Sequence, residues 1–148
     1  MKNIATYLAC LAAVVLATGC ASGPKYSELC KSFPPLNPDQ GRIFVYRTSA
    51  LGAAVQPAVK LNDEQIGTAV PKGFFYVDRP AGQYEISTAT EVKRTLSLLL
   101  DKGQTRFVRL AISMGFFVGH VYPELVDPDK AEKEIQDCGY TGPKPPQP

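Results

Sequence analysis

Pro80-Ala81-Gly82-Gln83-Tyr84-Glu85-Ile86-Ser87-Thr88 is the stretch that decides the fold class. A proline that sets φ and a glycine suited to an unusual backbone conformation mark a turn. Tyr84, Ile86 and Thr88 then alternate with Glu85 and Ser87. A period of two places the first set on one face of a β-strand and the second on the other, which a helical period cannot do. Residues 105–113 repeat the pattern, with Val108, Leu110 and Ile112 opposing Phe107, Arg109 and Ala111. The first set in each stretch should face a core.

Working outward, β-rich runs bounded by turn residues occupy 42–48, 56–61, 64–69, 73–78, 82–88, 94–100, 105–113 and 116–125. Such spacing marks an antiparallel sandwich or barrel. Asn62-Asp63 joins two runs as a tight hairpin, since both residues tolerate positive φ. Residues 96–100 are apolar except Ser97. That fits a strand covered on both faces or a poorly specified face, and periodicity does not choose between them. Beyond the strands, Asp127-Pro128-Asp129 reads as an N-cap, a proline at the first helical position and an acid in the first turn, with helix formers to Ile135. The helix is short and stops at Gly139. The tail 139–148, rich in proline, reads as disordered or polyproline-like.

The first residues carry a different message. Lys2, an apolar run over 4–17 and small residues before Cys20 follow the order of a cleaved export signal, residues 1–19. The run is shorter than the ~20 residues a membrane-spanning helix needs. Leu16-Ala17-Thr18-Gly19-Cys20 resembles the lipobox of bacterial lipoproteins, with leucine one step earlier than its commonest place. The resemblance implies a diacylglycerol on the Cys20 sulfur and a further acyl chain on its freed amine, and chains of this kind together anchor a protein durably. Ordinary cleavage, for instance after Ala21, would instead release a soluble protein. Ala21, where aspartate would retain an enteric lipoprotein in the inner membrane, implies the outer membrane and its periplasmic face.

Removing 19 of 148 residues leaves one domain's worth of chain, and 16 basic against 14 acidic residues in the whole sequence give no strong field. Basic residues scatter among acids rather than forming one basic face, so nucleic acid is discounted as a partner. Residues 20–40, with Pro24, Pro34, Pro35 and Pro38, read as an extended tether holding the domain off the membrane. Cys10 leaves with the signal and Cys20 takes lipid, so Cys30 and Cys138 remain as a pair. In an oxidising compartment the expected state is a disulfide tying the tether to the helix end, worth roughly 4–5 kcal/mol by loop entropy. A redox or zinc site would need a close C-x-x-C or further ligands, which the sequence lacks.

Gly41-Arg42-Ile43-Phe44-Val45-Tyr46-Arg47, Leu61-Asn62-Asp63-Glu64-Gln65-Ile66-Gly67, Gly73-Phe74-Phe75-Tyr76-Val77, Ser113-Met114-Gly115 and Glu124-Leu125-Val126 together resemble the bacterial lipoprotein family DUF2846 over residues 41–138. The turn followed by Pro-x-Gly-x-Tyr also resembles PEGA-type and other prealbumin-like sandwiches. The resemblance implies a fold and a location, and no activity.

A search for chemistry finds little. His120 is the only histidine, so no histidine triad or multi-histidine metal site is available. No nucleophile elbow, phosphate loop or H-E-x-x-H occurs. Gly41, Gly52, Gly67, Gly73, Gly82 and Gly115 fall where turns are expected. Asp63, Glu64, Asp78, Glu85, Glu91 and Asp101 could serve acid/base chemistry, but each sits beside a turn or on a polar strand face. Phe74, Tyr76 and Tyr84 are the candidate binding surface, with core packing as the competing explanation. The expectation is a non-catalytic envelope lipoprotein without cofactor or metal, presenting a β-sandwich to a protein partner. A glycan or peptidoglycan-fragment module is the alternative.

Overall fold

A computed structural model describes residues 19–114 and 119–143. The export segment over 1–18, the end of the tail over 144–148 and the first residues of the run expected at 116–125 lie outside the described residues. The fold is all-β in two sheets with short helices. In chain order it comprises α1 (Tyr26–Leu29), β1 (Gln40–Tyr46), β2 (Ala58–Leu61), β3 (Glu64–Thr68), β4 (Gly73–Pro80), β5 (Gly82–Ala89), β6 (Lys93–Leu100), β7 (Thr105–Ser113), β8 (His120–Val126), α2 (Pro128–Glu134) and β9 (Gly139–Tyr140).

One sheet has the order β8-β7-β1-β4-β9 and the other β3-β2-β5-β6. The antiparallel expectation holds for most pairings, but β1 lies parallel to β7 and β4 parallel to β9. The reason is connectivity: the chain changes sheet after β1, β3, β4 and β6, leaving hairpins only at β2–β3, β5–β6 and β7–β8. The Asn62-Asp63 hairpin has the expected left-handed pair, φ 47° and 67°. Pro80-Ala81-Gly82 is a crossing between sheets, and Gly82 does not need positive φ there.

The core lies between the sheets. Ile43, Val45, Phe75, Val108, Leu110 and Val121 face Val59, Leu61, Ile86, Leu98 and Leu100. A second apolar layer covers the outer face of the five-stranded sheet, where Phe44, Tyr46, Phe74 and Phe107 meet Tyr26, Leu29, Phe33, Ala131 and Ile135. This explains the consecutive apolar residues 43–46 of β1 and 74–77 of β4: both faces of these strands are covered there. β6 is the reverse case. Leu98 and Leu100 are buried but Leu99 is 55% exposed, so only one of its faces is covered. Gly41 and Gly67 lie within strands rather than in turns, and glycine is needed there for close packing: an added Cβ would stand 2.7 Å from Leu100 or 2.6 Å from the Phe75 ring.

The segment read as an extended tether is docked on the domain. Pro24 O accepts from Tyr140 N, Cys138 O from Tyr26 N and Gln136 O from Ser27 N, at 2.8, 2.9 and 3.2 Å. Tyr26 and Phe33 pack edge-on against Phe44. Apolar residues scattered between prolines carry no period, so their burial was not readable. α2 begins as expected, with Asp127 accepting from Asp129 N at 3.0 Å and Pro128 in its first turn.

Candidate functional site

Cys20, the residue expected to carry lipid, is exposed at one end of the sandwich. Its neighbour is already fixed, since Ala21 N donates to Pro71 O at 2.9 Å. The adjoining loop 47–57 hangs on Arg47, which is wholly buried. Nη1 donates to Val55 O and Ala69 O at 2.7 and 2.8 Å, and Nη2 to Leu51 O and Gly52 O at 2.7 and 3.0 Å. Among the described residues no carboxylate pairs with it and Nε finds no partner. Burial accordingly holds its guanidinium below the usual arginine value.

The expected Cys30–Cys138 staple is not formed, and both residues are free thiols. Cys30 caps α1 on its exposed side and its Sγ contacts Ser27 O at 3.5 Å, while the Cys138 Sγ is buried and turned to Arg47 O at 3.7 Å. Burial pushes the Cys138 thiol up to about 11. Backbone hydrogen bonds and the aromatic layer hold the N-terminal segment where the disulfide was expected to.

The aromatic candidates do not form one surface. Phe74 is fully buried beneath Tyr26 and Tyr140. Tyr76 stacks under Arg42, whose guanidinium carbon is 4.6 Å from the ring centroid. Arg42 in turn makes a bidentate pair with Asp78 at 2.7 and 2.8 Å. Tyr84 belongs to the other sheet, packs against the inner core and donates its hydroxyl to Pro80 O at 2.8 Å. It locks the corner where the chain passes between sheets, as tyrosine corners do in other sandwiches.

Four of the six carboxylate candidates, Asp63, Glu64, Asp78 and Glu85, face cations rather than one another, and Asp101 stands apart from them in the turn after β6. Asp78 holds Arg42, Glu64 meets Arg79 at 3.2 Å, and Lys93 lies between Asp63 and Glu85 at 3.7 and 3.3 Å. His120 faces Glu91 at 3.8 Å and Thr90 at 3.2 Å. Among the described residues no group of three or more metal-ligating side chains converges. Sequence reasoning missed one network: Arg109 bridges Glu124 and Glu134, each at 2.8 Å, and Tyr46 donates to Glu134 at 2.7 Å. Burial, with Glu134 accepting from the hydroxyl, holds the Tyr46 phenol well above its usual value. This network ties α2 to the sheet.

What remains open is a sheet edge. β8 carries Pro123 at mid-strand, β3 pairs with β2 through a register shift, and β9 is two residues long. Each device protects an edge. β6 has eight residues and neither proline nor bulge, and among the described residues it pairs only with β5. Arg106 Nε donates to Leu99 O at 3.0 Å, which fixes that carbonyl on the free side. Backbone alternation then puts the peptide groups of Thr95 and Ser97 on the same side. Between this edge and β8 lies a cavity of about 340 Å³ lined by Arg94, Thr95, Ser113, Tyr122 and Pro123. A smaller hollow of about 180 Å³ on the outer face of the same sheet includes Lys60, Asp63, Ser87 and Lys93. The only trace of the edge in 93–100 was a run of eight residues without proline.

A family model for proteins of unknown function (DUF2846) matches residues 37–121. An uncharacterised protein of Haemophilus influenzae is 27% identical over 140 residues, covering 91% of this chain and 83% of its own length. No solved structure matches the chain.

Proposed function

The chain belongs to the DUF2846 family, and from that premise we propose that it is a non-catalytic cell-envelope lipoprotein, anchored through Cys20 and offering the β6 edge to a protein partner. The anchor would sit in the outer membrane on its periplasmic face. The observation that carries the partner reading is the free edge itself. Lys93–Leu100 can add an extended segment through the peptide groups of Thr95 and Ser97, with Leu99 beside it as an exposed apolar contact. Main-chain bonds give such an interaction affinity and alternate side chains give it register. The non-catalytic part of the reading is supported by the carboxylates, which face cations instead of a shared reaction centre.

The test is photocrosslinking in living cells from a photoreactive residue at Ser97, with one at Lys133 on α2 as comparison. A discrete protein adduct from Ser97 alone, lost when Thr95→Pro removes an edge donor, is the expected result. Equal capture from both positions, or adducts that Thr95→Pro leaves intact, would refute an edge-pairing partner. The glycan reading draws support from the cavity beside the edge, which Tyr122 and Arg94 both line. Binding of soluble peptidoglycan fragments that Tyr122→Ala abolishes would favour it.

A further inference from the structure

The two ends of the sandwich differ in kind. Residues 54–57 and 89–91 line one shallow groove, Thr90 and Glu91 reach His120, and His120 lies opposite Ser113, next to Met114. Loops 47–57, 69–72 and 90–92 thus gather with Met114 at the end where Ala21 is tied to Pro71. Among the described residues three large apolar side chains there are exposed: Leu51 by 60%, Val92 by 49% and Met114 by 83%. Those three loops contain one carboxylate, Glu91, which faces His120. Asp137, near the same end, is paired with Lys25 at 3.0 Å. At the opposite end acids recur in the turns, with Asp39, Asp101 and Asp127, and with Glu64 beside Arg79.

We infer that this end sits flush on the bilayer, with Leu51, Val92 and Met114 entering the boundary between headgroups and acyl chains around an acylated Cys20. The inference rests on the lipoprotein reading proposed above. Its physical basis is the missing slack. Consecutive Cα atoms are about 3.8 Å apart, so a lipid on Cys20 leaves one residue step before the chain is docked at Ala21. The end of the domain must therefore lie at the interface, where apolar side chains are favoured and carboxylates meet a negative surface potential. The scarcity of acids in these loops, where Glu91 alone occurs and faces His120, and their recurrence at the far end fit that placement. Singly, such side chains are ordinary on a protein surface; what gives these three a direction is that they share the end at which the chain docks one step after Cys20.

The chain contains no tryptophan, so single tryptophans can report depth. The mature acylated protein carrying Leu51→Trp, Val92→Trp or Met114→Trp, with Leu99→Trp as the far-end control, is reconstituted into vesicles of phosphatidylethanolamine and phosphatidylglycerol. Brominated acyl chains serve as the quencher, and vesicle flotation is measured in parallel. The expected result is flotation of all four, with blue-shifted and quenched emission at positions 51, 92 and 114 and neither effect at 99. Flotation with unquenched emission at those three positions, or quenching at all four, overturns the flush orientation and leaves the anchor standing. Failure to float overturns the anchor, and the orientation with it.

Discussion

Arg47→Met removes the one buried cation that holds the loop beside Cys20. The guanidinium makes four hydrogen bonds to carbonyls, to Val55, Ala69, Leu51 and Gly52, and that to Ala69 is itself buried. Bonds from a charged donor contribute about 1.5–3 kcal/mol each. Against them stands the several kcal/mol needed to take a guanidinium out of water with no carboxylate beside it. The loop carbonyls of Leu51, Gly52 and Val55 can turn to water once the donor is gone, whereas Ala69 O stays enclosed. The expected net loss is therefore roughly 3 kcal/mol, a drop of about 10 °C in Tm for a domain of this size. Urea unfolding of the chain from Cys20 onward, followed by circular dichroism, measures it. Hydrogen exchange should show the loss of protection concentrated in 47–57. Arg47→Lys should fall between, since a single ammonium cannot span carbonyls on both sides of the fork. If Arg47→Met unfolds within about 0.5 kcal/mol of the parent, a difference typical of a surface substitution, desolvation cancels the bonds and Arg47 is not what pins the loop.

Other consequences are as specific. Without reductant, Cys30 should react stoichiometrically with a thiol reagent at pH 8 while Cys138 reacts only on unfolding; protection of both would mean that the disulfide forms after all. Asp78→Ala strands Arg42 between Tyr76 and Phe33 and should cost about 3 kcal/mol in urea unfolding, while unchanged stability would show the pair to be solvated. Tyr46 has a raised phenol pKa in the folded chain, so its contribution is fully present below the unfolded value of about 10 and lost as pH climbs beyond it. Tyr46→Phe should therefore lower stability at neutral pH by about 1 kcal/mol and flatten the alkaline decline; an unaltered decline would show that Tyr46 is not its source. Gly67→Ala drives a methyl into the buried Phe75 ring and should cost about 1–3 kcal/mol, against which a neutral substitution would count.

Where side chains alternate, the sequence was readable. The inward residues expected from 82–88 and 105–113, including Ile86, Val108 and Leu110, are core residues, and the Asn62-Asp63 turn and the N-cap of α2 are local chemistry that needs no tertiary knowledge. What escaped depends on contacts distant in sequence. Phe74 looked like a surface candidate because alternation says which residues share a face, not whether another layer lies on that face. The layer comes from Tyr26, Leu29 and Phe33, in a segment whose prolines advertised a tether. The pairing of Cys30 and Cys138 met a related limit: two cysteines in a sequence carry no information about direction, and here Cys30 is exposed and Cys138 buried.

That hidden layer narrows the surfaces available for recognition. With α1, α2 and the 20–40 segment spread over the five-stranded sheet, its outer face is occupied by the chain's own aromatics. Among the described residues nothing similar covers the four-stranded sheet, whose outer face carries Lys60, Glu85, Ser97 and Leu99 up to the β6 edge. In the proposed arrangement the Cys20 end meets lipid while β6 runs away from the membrane along one side of the domain. An extended partner added there would lie along the strand, with its length across the envelope rather than parallel to the bilayer. The docked N-terminal segment is what makes this geometry specific. A true tether would let the edge point anywhere, whereas a domain fixed from Ala21 onward has one orientation to offer.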